Sequence, residues 1–173
     1  MQTKQIFNAM NIISWIVFIG YCIKVGAIII VSLLSFFVTQ KATENLYMGI
    51  DFSNLYRFSL SHYTVTILFL IVITCLKAYI FYLLIKIFKI IDYNKPFKTV
   101  VIDLIFKISY VAISVGVIGV IANSYITWLN SKVSFTRINI DTAAYLFMAG
   151  VVFIIASLFK RAAEIQSENE LTI

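Results

Sequence analysis

An all-α membrane protein of four transmembrane helices is the fold class this sequence predicts. Three observations carry it. The 173 residues are 61% hydrophobic and only 13% charged, whereas a soluble domain carries about 25% charged residues. The mean hydropathy is +0.96, and the apolar excess is more than one small core can hide. Four segments are long enough to cross a hydrocarbon core, which takes roughly 20 helical residues. A soluble enzyme is thereby excluded. One proline and six glycines exclude low-complexity and collagen-like chains as well.

The first span covers about 12–38 and is interrupted by Lys24. Lys4 ahead of a hydrophobic run imitates a secretory signal, but the run is too long for an h-region and lacks a small-x-small site. A retained helix is expected. The second span, about 63–85, is interrupted by Lys77, and the third, about 108–129, carries no charge. The fourth covers about 142–159 and leads into a tail over 160–173. Backbone inside lipid must satisfy its own hydrogen bonds, so all four are helices. They make a single four-helix domain over 1–173.

Between the second and third spans, the helix is expected to continue to about Ile91 and then break at Asp92, Asn94 and Pro96. The KTVVIDLIFK stretch from Lys98 to Lys107 suits a helix entering the third span from the interface. The other two loops alternate. Met48, Ile50 and Phe52 recur with period two, as do Val133 and Phe135, then Ile138 and Ile140 after a slip near Arg137. This pattern predicts a small extracytoplasmic β-element from loops 1 and 3, with a bulge at Arg137.

The cations set the orientation. Lys4, Lys86, Lys89, Lys95, Lys98, Lys107, Lys160 and Arg161 fall on one side, eight in all, against Lys41, Arg57, Lys132 and Arg137, four, on the other. The bias predicts a multi-pass protein of the bacterial inner (cytoplasmic) membrane, N-in/C-in. Trp15 and Trp128 suit opposite interfaces. The net charge of +6 is then a topology signal and a means of touching anionic lipid. No basic patch on a soluble module points to direct nucleic-acid binding.

Reactive groups are sparse. Cys22 and Cys75 sit in apolar stretches outside any CxxC pair and are expected as buried free thiols. His62, the sole histidine, has no neighbour at ligand spacing, so neither a metal nor another cofactor is expected. Lys24 and Lys77, expected at the same cytoplasmic-side depth as Asp103 and Lys107, either snorkel or form a charged intramembrane site for an anion or lipid headgroup. Ala112, Gly116 and Gly119 on the third span, and Ala149 and Gly150 on the fourth, predict close helix packing. Asn123 is expected to hydrogen-bond between helices.

The tail is the most specific feature. Glu164, Gln166, Glu168, Asn169, Glu170, Leu171, Thr172 and Ile173 resemble the closing motif of the bacterial membrane family catalogued as domain of unknown function 2975. The Lys95-Pro96-Phe97 turn is similar to that family's turn between its second and third spans. The resemblance implies no enzymatic activity. It implies a neighbouring small helix-turn-helix regulator as a cytoplasmic partner, which the protein anchors, sequesters or signals to. Pro96, Phe97 and the tail from Glu164 through Ile165 to Ile173 are the expected contact residues, and self-docking of the acids on the chain's own lysines is the alternative for the tail. The alternative function is a small transport or channel protein lined by Lys24, Lys77, Asp103 and Lys107.

Overall fold

The computed structural model describes residues 2–91, 98–136 and 138–170. Four long helices dominate: α1 (Gln2–Phe37), α3 (Leu60–Ile90), α4 (Thr99–Asn130) and α5 (Thr142–Glu170). A 3-10 helix (Gln40–Asn45) and the short α2 (Ser53–Phe58) lie between α1 and α3. All four long helices are apolar and long enough to cross a membrane, and the chain is a multi-pass membrane protein. At roughly 1.5 Å per residue, helices of 29–36 residues overrun a hydrocarbon core of about 30 Å. They therefore extend past the expected spans at most ends.

Consecutive long helices run antiparallel. Phe7 meets Phe88 at one end of the α1/α3 pair, and Ser35 Oγ lies 2.8 Å from the Tyr63 hydroxyl at the other. Residues of α3 and α4 share one core cluster, from Ile73 and Ile80 to Val101 and Val115. Among the described residues, α1 packs on α3, α3 on α4 and α4 on α5, while no Cα of α1 comes within 8 Å of α4 or α5. The bundle is thus an open row rather than a closed square. The starts of α1 and α4 and the ends of α3 and α5 share one end, called here the terminal end. The two long connections occupy the opposite, loop end.

α4 and α5 approach closely, and the cause is the small residues. A Cβ added at Gly116 would lie 2.5 Å from Leu146 Cδ2, and one at Gly119 would lie 2.7 Å from Thr142 Cγ2. Ala112 and Ala149 are buried in the same seam, where Ser109 Oγ donates to the Ala149 carbonyl at 2.9 Å. Gly150 faces open space instead.

The loop end contains no strand among the described residues, which corrects the expected β-element. The period-two apolar residues are pulled in different directions. Met48 and Gly49 take positive φ values of 47° and 87° and reverse the chain. Phe52 is buried with Ile28, Leu46, Leu55 and Tyr63, and Asp51 Oδ1 accepts from the Ser53 amide at 2.8 Å to start α2. The two loops do meet. Thr136 N–H donates to the Asp51 carbonyl at 3.2 Å, the Asp51 amide donates to Thr136 Oγ1 at 3.1 Å, and Phe135 packs edge-on against Phe52. One backbone pair does not make a ladder. The expected bulge at Arg137 lies outside the described residues.

The second loop also re-enters the bundle. Ile140 and Thr142 contact the position of Gly119, which lies eleven residues, roughly 16 Å, below the end of α4. Asn123 holds the segment there. Its side-chain amide donates to the Ile140 carbonyl at 2.7 Å, and its oxygen accepts from the Ile140 amide at 3.1 Å. Irregular backbone at membrane depth needs such a protein partner. Asn123 therefore joins a helix to a re-entrant segment, not a helix to a helix.

Candidate functional site

Two polar assemblies result. The first is an open groove of about 1180 Å³ between α4 and α5 at the terminal end. Lys98, Asp103 and Lys107 contribute from the α4 side, and Lys160, Glu164 and Gln166 from α5, above an apolar floor that includes Phe106. Two expectations of different kinds converge here. Asp103 and Lys107 were candidates for an intramembrane site, Glu164 and Gln166 for partner contact. All four line one groove. Arg161 Nη1 pairs with Glu164 Oε2 at 3.1 Å one turn along α5, an exposed pair of small energetic value. Ile165 and Glu168 are exposed on the same terminal turns. Asn169 and Glu170 close α5 as backbone, while Pro96, Phe97, Leu171, Thr172 and Ile173 lie outside the described residues.

The second assembly holds Lys24 and Lys77, and it stands apart from Asp103 and Lys107. Both lysines lie near the middle of their helices rather than one turn from an end. Lys24 Nζ is 5.6 Å from the centroid of Tyr47, which descends from the first loop. Lys77 Nζ is 4.6 Å from that of Tyr145, in the first turn of α5. Lys77 is in electrostatic reach of both Lys24 and Asp141. The Tyr21 ring lies 5.9 Å from that of Phe81, one turn along α3 from Lys77, and Tyr21 and Tyr145 are in electrostatic reach of one another. The structure brings Asp103 and Lys107 together in the terminal groove and Lys24 toward Lys77, but it does not gather the four charged groups at one place. Helix numbering gave the depth of Lys24 and Lys77 relative to each other but not the depth of the loops that meet them.

Tyr21, Tyr47, Asp141 and Tyr145 were not singled out from the sequence. Tyr21 sits three residues before Lys24 on one face of α1, and Asp141 precedes α5 as a capping residue, its Oδ1 accepting from the Ala144 amide at 3.4 Å. These were the available signals. His62 Nδ1 lies 2.6 Å from the Tyr125 hydroxyl, with Phe58 stacked on its ring and Trp128 edge-on. Cys22 and Cys75 correct another expectation. Both are exposed and line one groove between α1 and α3, beside Gly26 and Ala78. A thiol is apolar enough to face lipid at little cost.

Residues 53–173 match the family model described as protein of unknown function (DUF2975). Neither a curated protein nor a solved structure matches the chain. The matched segment runs from α2 through α5 and holds the whole terminal groove, together with Lys77, Asp141 and Tyr145. Covering well over half the chain, the match shows that this four-helix membrane protein belongs to the DUF2975 family.

Proposed function

We propose that this chain is a non-enzymatic protein of a bacterial inner membrane, N-in/C-in, that anchors a cytoplasmic partner at the groove where α4 begins and α5 ends. The observation that carries this is the end of α5. The helix runs unbroken from its apolar segment to Glu170, and residues 164–168 are exposed, with Glu164, Gln166 and Ser167 lining the open groove. A stop-transfer signal needs only Lys160 and Arg161. The eight-to-four cation asymmetry supports the orientation.

A small basic DNA-binding regulator fits the chemistry. The carboxylates of the tail steer a basic surface toward the membrane. Exposed ion pairs contribute only about 0–1 kcal/mol each, so the hold comes from Ile165, Leu171 and Ile173, at roughly 1.5–3 kcal/mol for each aliphatic side chain fully buried. A single transport path through Lys24, Lys77, Asp103 and Lys107 is disfavoured by their separation into two assemblies.

The test is membrane co-sedimentation of a small basic helix-turn-helix regulator co-expressed with the protein. The full chain should carry the regulator into the membrane fraction. Deletion of 164–173 should abolish this while preserving insertion. Leu171→Asp should act almost like the deletion, and Glu168→Lys mildly. Equal capture by the truncated chain would overturn the proposal.

A further inference from the structure

The terminal groove leaves the mid-bundle assembly without a role, and its charges do not balance. Lys24 and Lys77 bring two ammonium groups to the middle of the bundle from different helices. Among the described residues one carboxylate, Asp141, accompanies them, and it already accepts from the Ala144 amide. The Tyr47 and Tyr145 rings attract the ammonium groups through their faces, but a ring carries no charge to cancel one. The sum over the described residues is one net positive charge at a depth where unpaired charge is costly and marks function.

We infer that Lys24, Lys77, Tyr21 and Tyr145 form a binding site for one monovalent oxyanion, entered sideways between α1 and α5. One negative charge balances the assembly. An oxyanion also supplies acceptors for the two ammonium groups and for the phenolic hydroxyls of Tyr21 and Tyr145, which are in electrostatic reach of one another. Access follows from the open row of helices. α1 and α5 do not approach within 8 Å at Cα, and Tyr21, Lys24, Lys77 and Tyr145 all retain partial exposure. The re-entrant segment pinned by Asn123 places Asp141 and Tyr145 at this depth, so the second loop completes the site. The site is independent of partner capture at the terminal groove.

The anion comes either free, as dihydrogen phosphate, or carried on a lipid, as a phosphodiester. Thermal unfolding of the full chain in an uncharged maltoside detergent separates the sources. Inorganic phosphate is titrated where its monoanion dominates, with sodium chloride holding ionic strength constant, and phosphatidylglycerol is titrated in a parallel series. A saturable rise in Tm of about 3–6 °C at ten times the half-saturating concentration is expected with one of the probes. Phosphate acting alone identifies a free anion; phosphatidylglycerol acting alone identifies a lipid. Lys24→Met with Lys77→Met should abolish the rise, whereas Lys107→Met, in the terminal groove, should keep it. Tyr21→Phe with Tyr145→Phe, which retains all charges and rings, should raise the half-saturating concentration about tenfold or more. No saturable rise with either probe overturns the proposal. So does a rise that survives the double lysine substitution. If that variant does not fold, an unchanged half-saturation in the double tyrosine variant overturns it instead.

Discussion

The Lys77 ammonium sits 4.6 Å from the centroid of the Tyr145 ring, so α3 and α5 communicate through side chains although their backbones do not pack directly. Each partner is intelligible alone. A lysine near the middle of a membrane helix is costly, and a tyrosine in the first turn of the next helix offers it a negative face. Together they tie the re-entrant start of α5 to the opposite side of the bundle.

A double-mutant cycle measures that tie. Tyr145→Leu should lower stability in the native background and do so less once Lys77 is Met. The coupling should be about 0.5–2 kcal/mol, the range of cation–π pairs from exposed to desolvated. Lys77→Met alone should be neutral or stabilising in anion-free detergent, because replacing a partly buried cation with an isosteric thioether relieves desolvation. Equilibrium unfolding in mixed detergent and denaturant reads both. Additive effects would show that ring and ammonium are neighbours without interaction.

Two glycines in one seam give opposite expectations. Gly116→Ala places its methyl 2.5 Å from Leu146 Cδ2 and 2.6 Å from Cγ, too close for the terminal methyl alone to give way. A cost of about 1–3 kcal/mol is expected. Gly150→Ala meets nothing within 4 Å and should stabilise α5 by about 0.5–1 kcal/mol through helix propensity. Measuring both in the same detergent cancels the influence of the medium. Equal effects would place the close contact elsewhere on α4.

The sequence made the helices legible because each obeys one strong rule, that apolar length demands internally bonded backbone. α5 was legible beyond its span, since nothing in AAEIQSENE stops a helix. The loops were not. Phe52 and Ile140 have the same alternating pattern as strand residues, yet both are buried against helices, and burial with period two looks alike whether the partner is a strand or a bundle. Asp141 reads as a loop residue at the membrane surface. The pairing of Asn123 with Ile140 shows that the loop turns back toward Lys77, and that pairing spans 17 positions. The small-residue seam was visible, whereas the depth of the charged residues relative to the loops was not.

Orientation is checked by labelling. Cys22 and Cys75 are both exposed, so the background must carry Ala at each. Single cysteines at Glu44, Ser134 and Ser167 occupy exposed positions, the first two at the loop end and the third at the terminal end. In intact cells an impermeant maleimide should label Glu44→Cys and Ser134→Cys and leave Ser167→Cys unlabelled until the membrane is opened. Labelling at Ser167 alone would reverse the orientation and remove any cytoplasmic partner from the terminal groove.

Asn123 offers the most local test of how the second loop is built. Its side chain both donates to and accepts from the backbone of Ile140, as one strand would for another, but from within a helix. Asn123→Leu keeps the approximate volume and removes both bonds. The Ile140 amide and carbonyl then lose their partner at membrane depth, at a cost of about 1–3 kcal/mol for each buried group left unsatisfied. Helix α4 itself should survive, because Asn123 contributes nothing to its backbone ladder that Leu does not. The segment 131–141 should instead rise toward the loop end, where water satisfies it. Asp141→Cys in the Asn123→Leu background should therefore gain maleimide reactivity several-fold over Asp141→Cys alone. Its effect should not reach Ser167→Cys, which sits at the other end of α5. If reactivity at Asp141 is unchanged, the loop is held by Phe135 on Phe52 and Thr136 on Asp51, and the asparagine is dispensable.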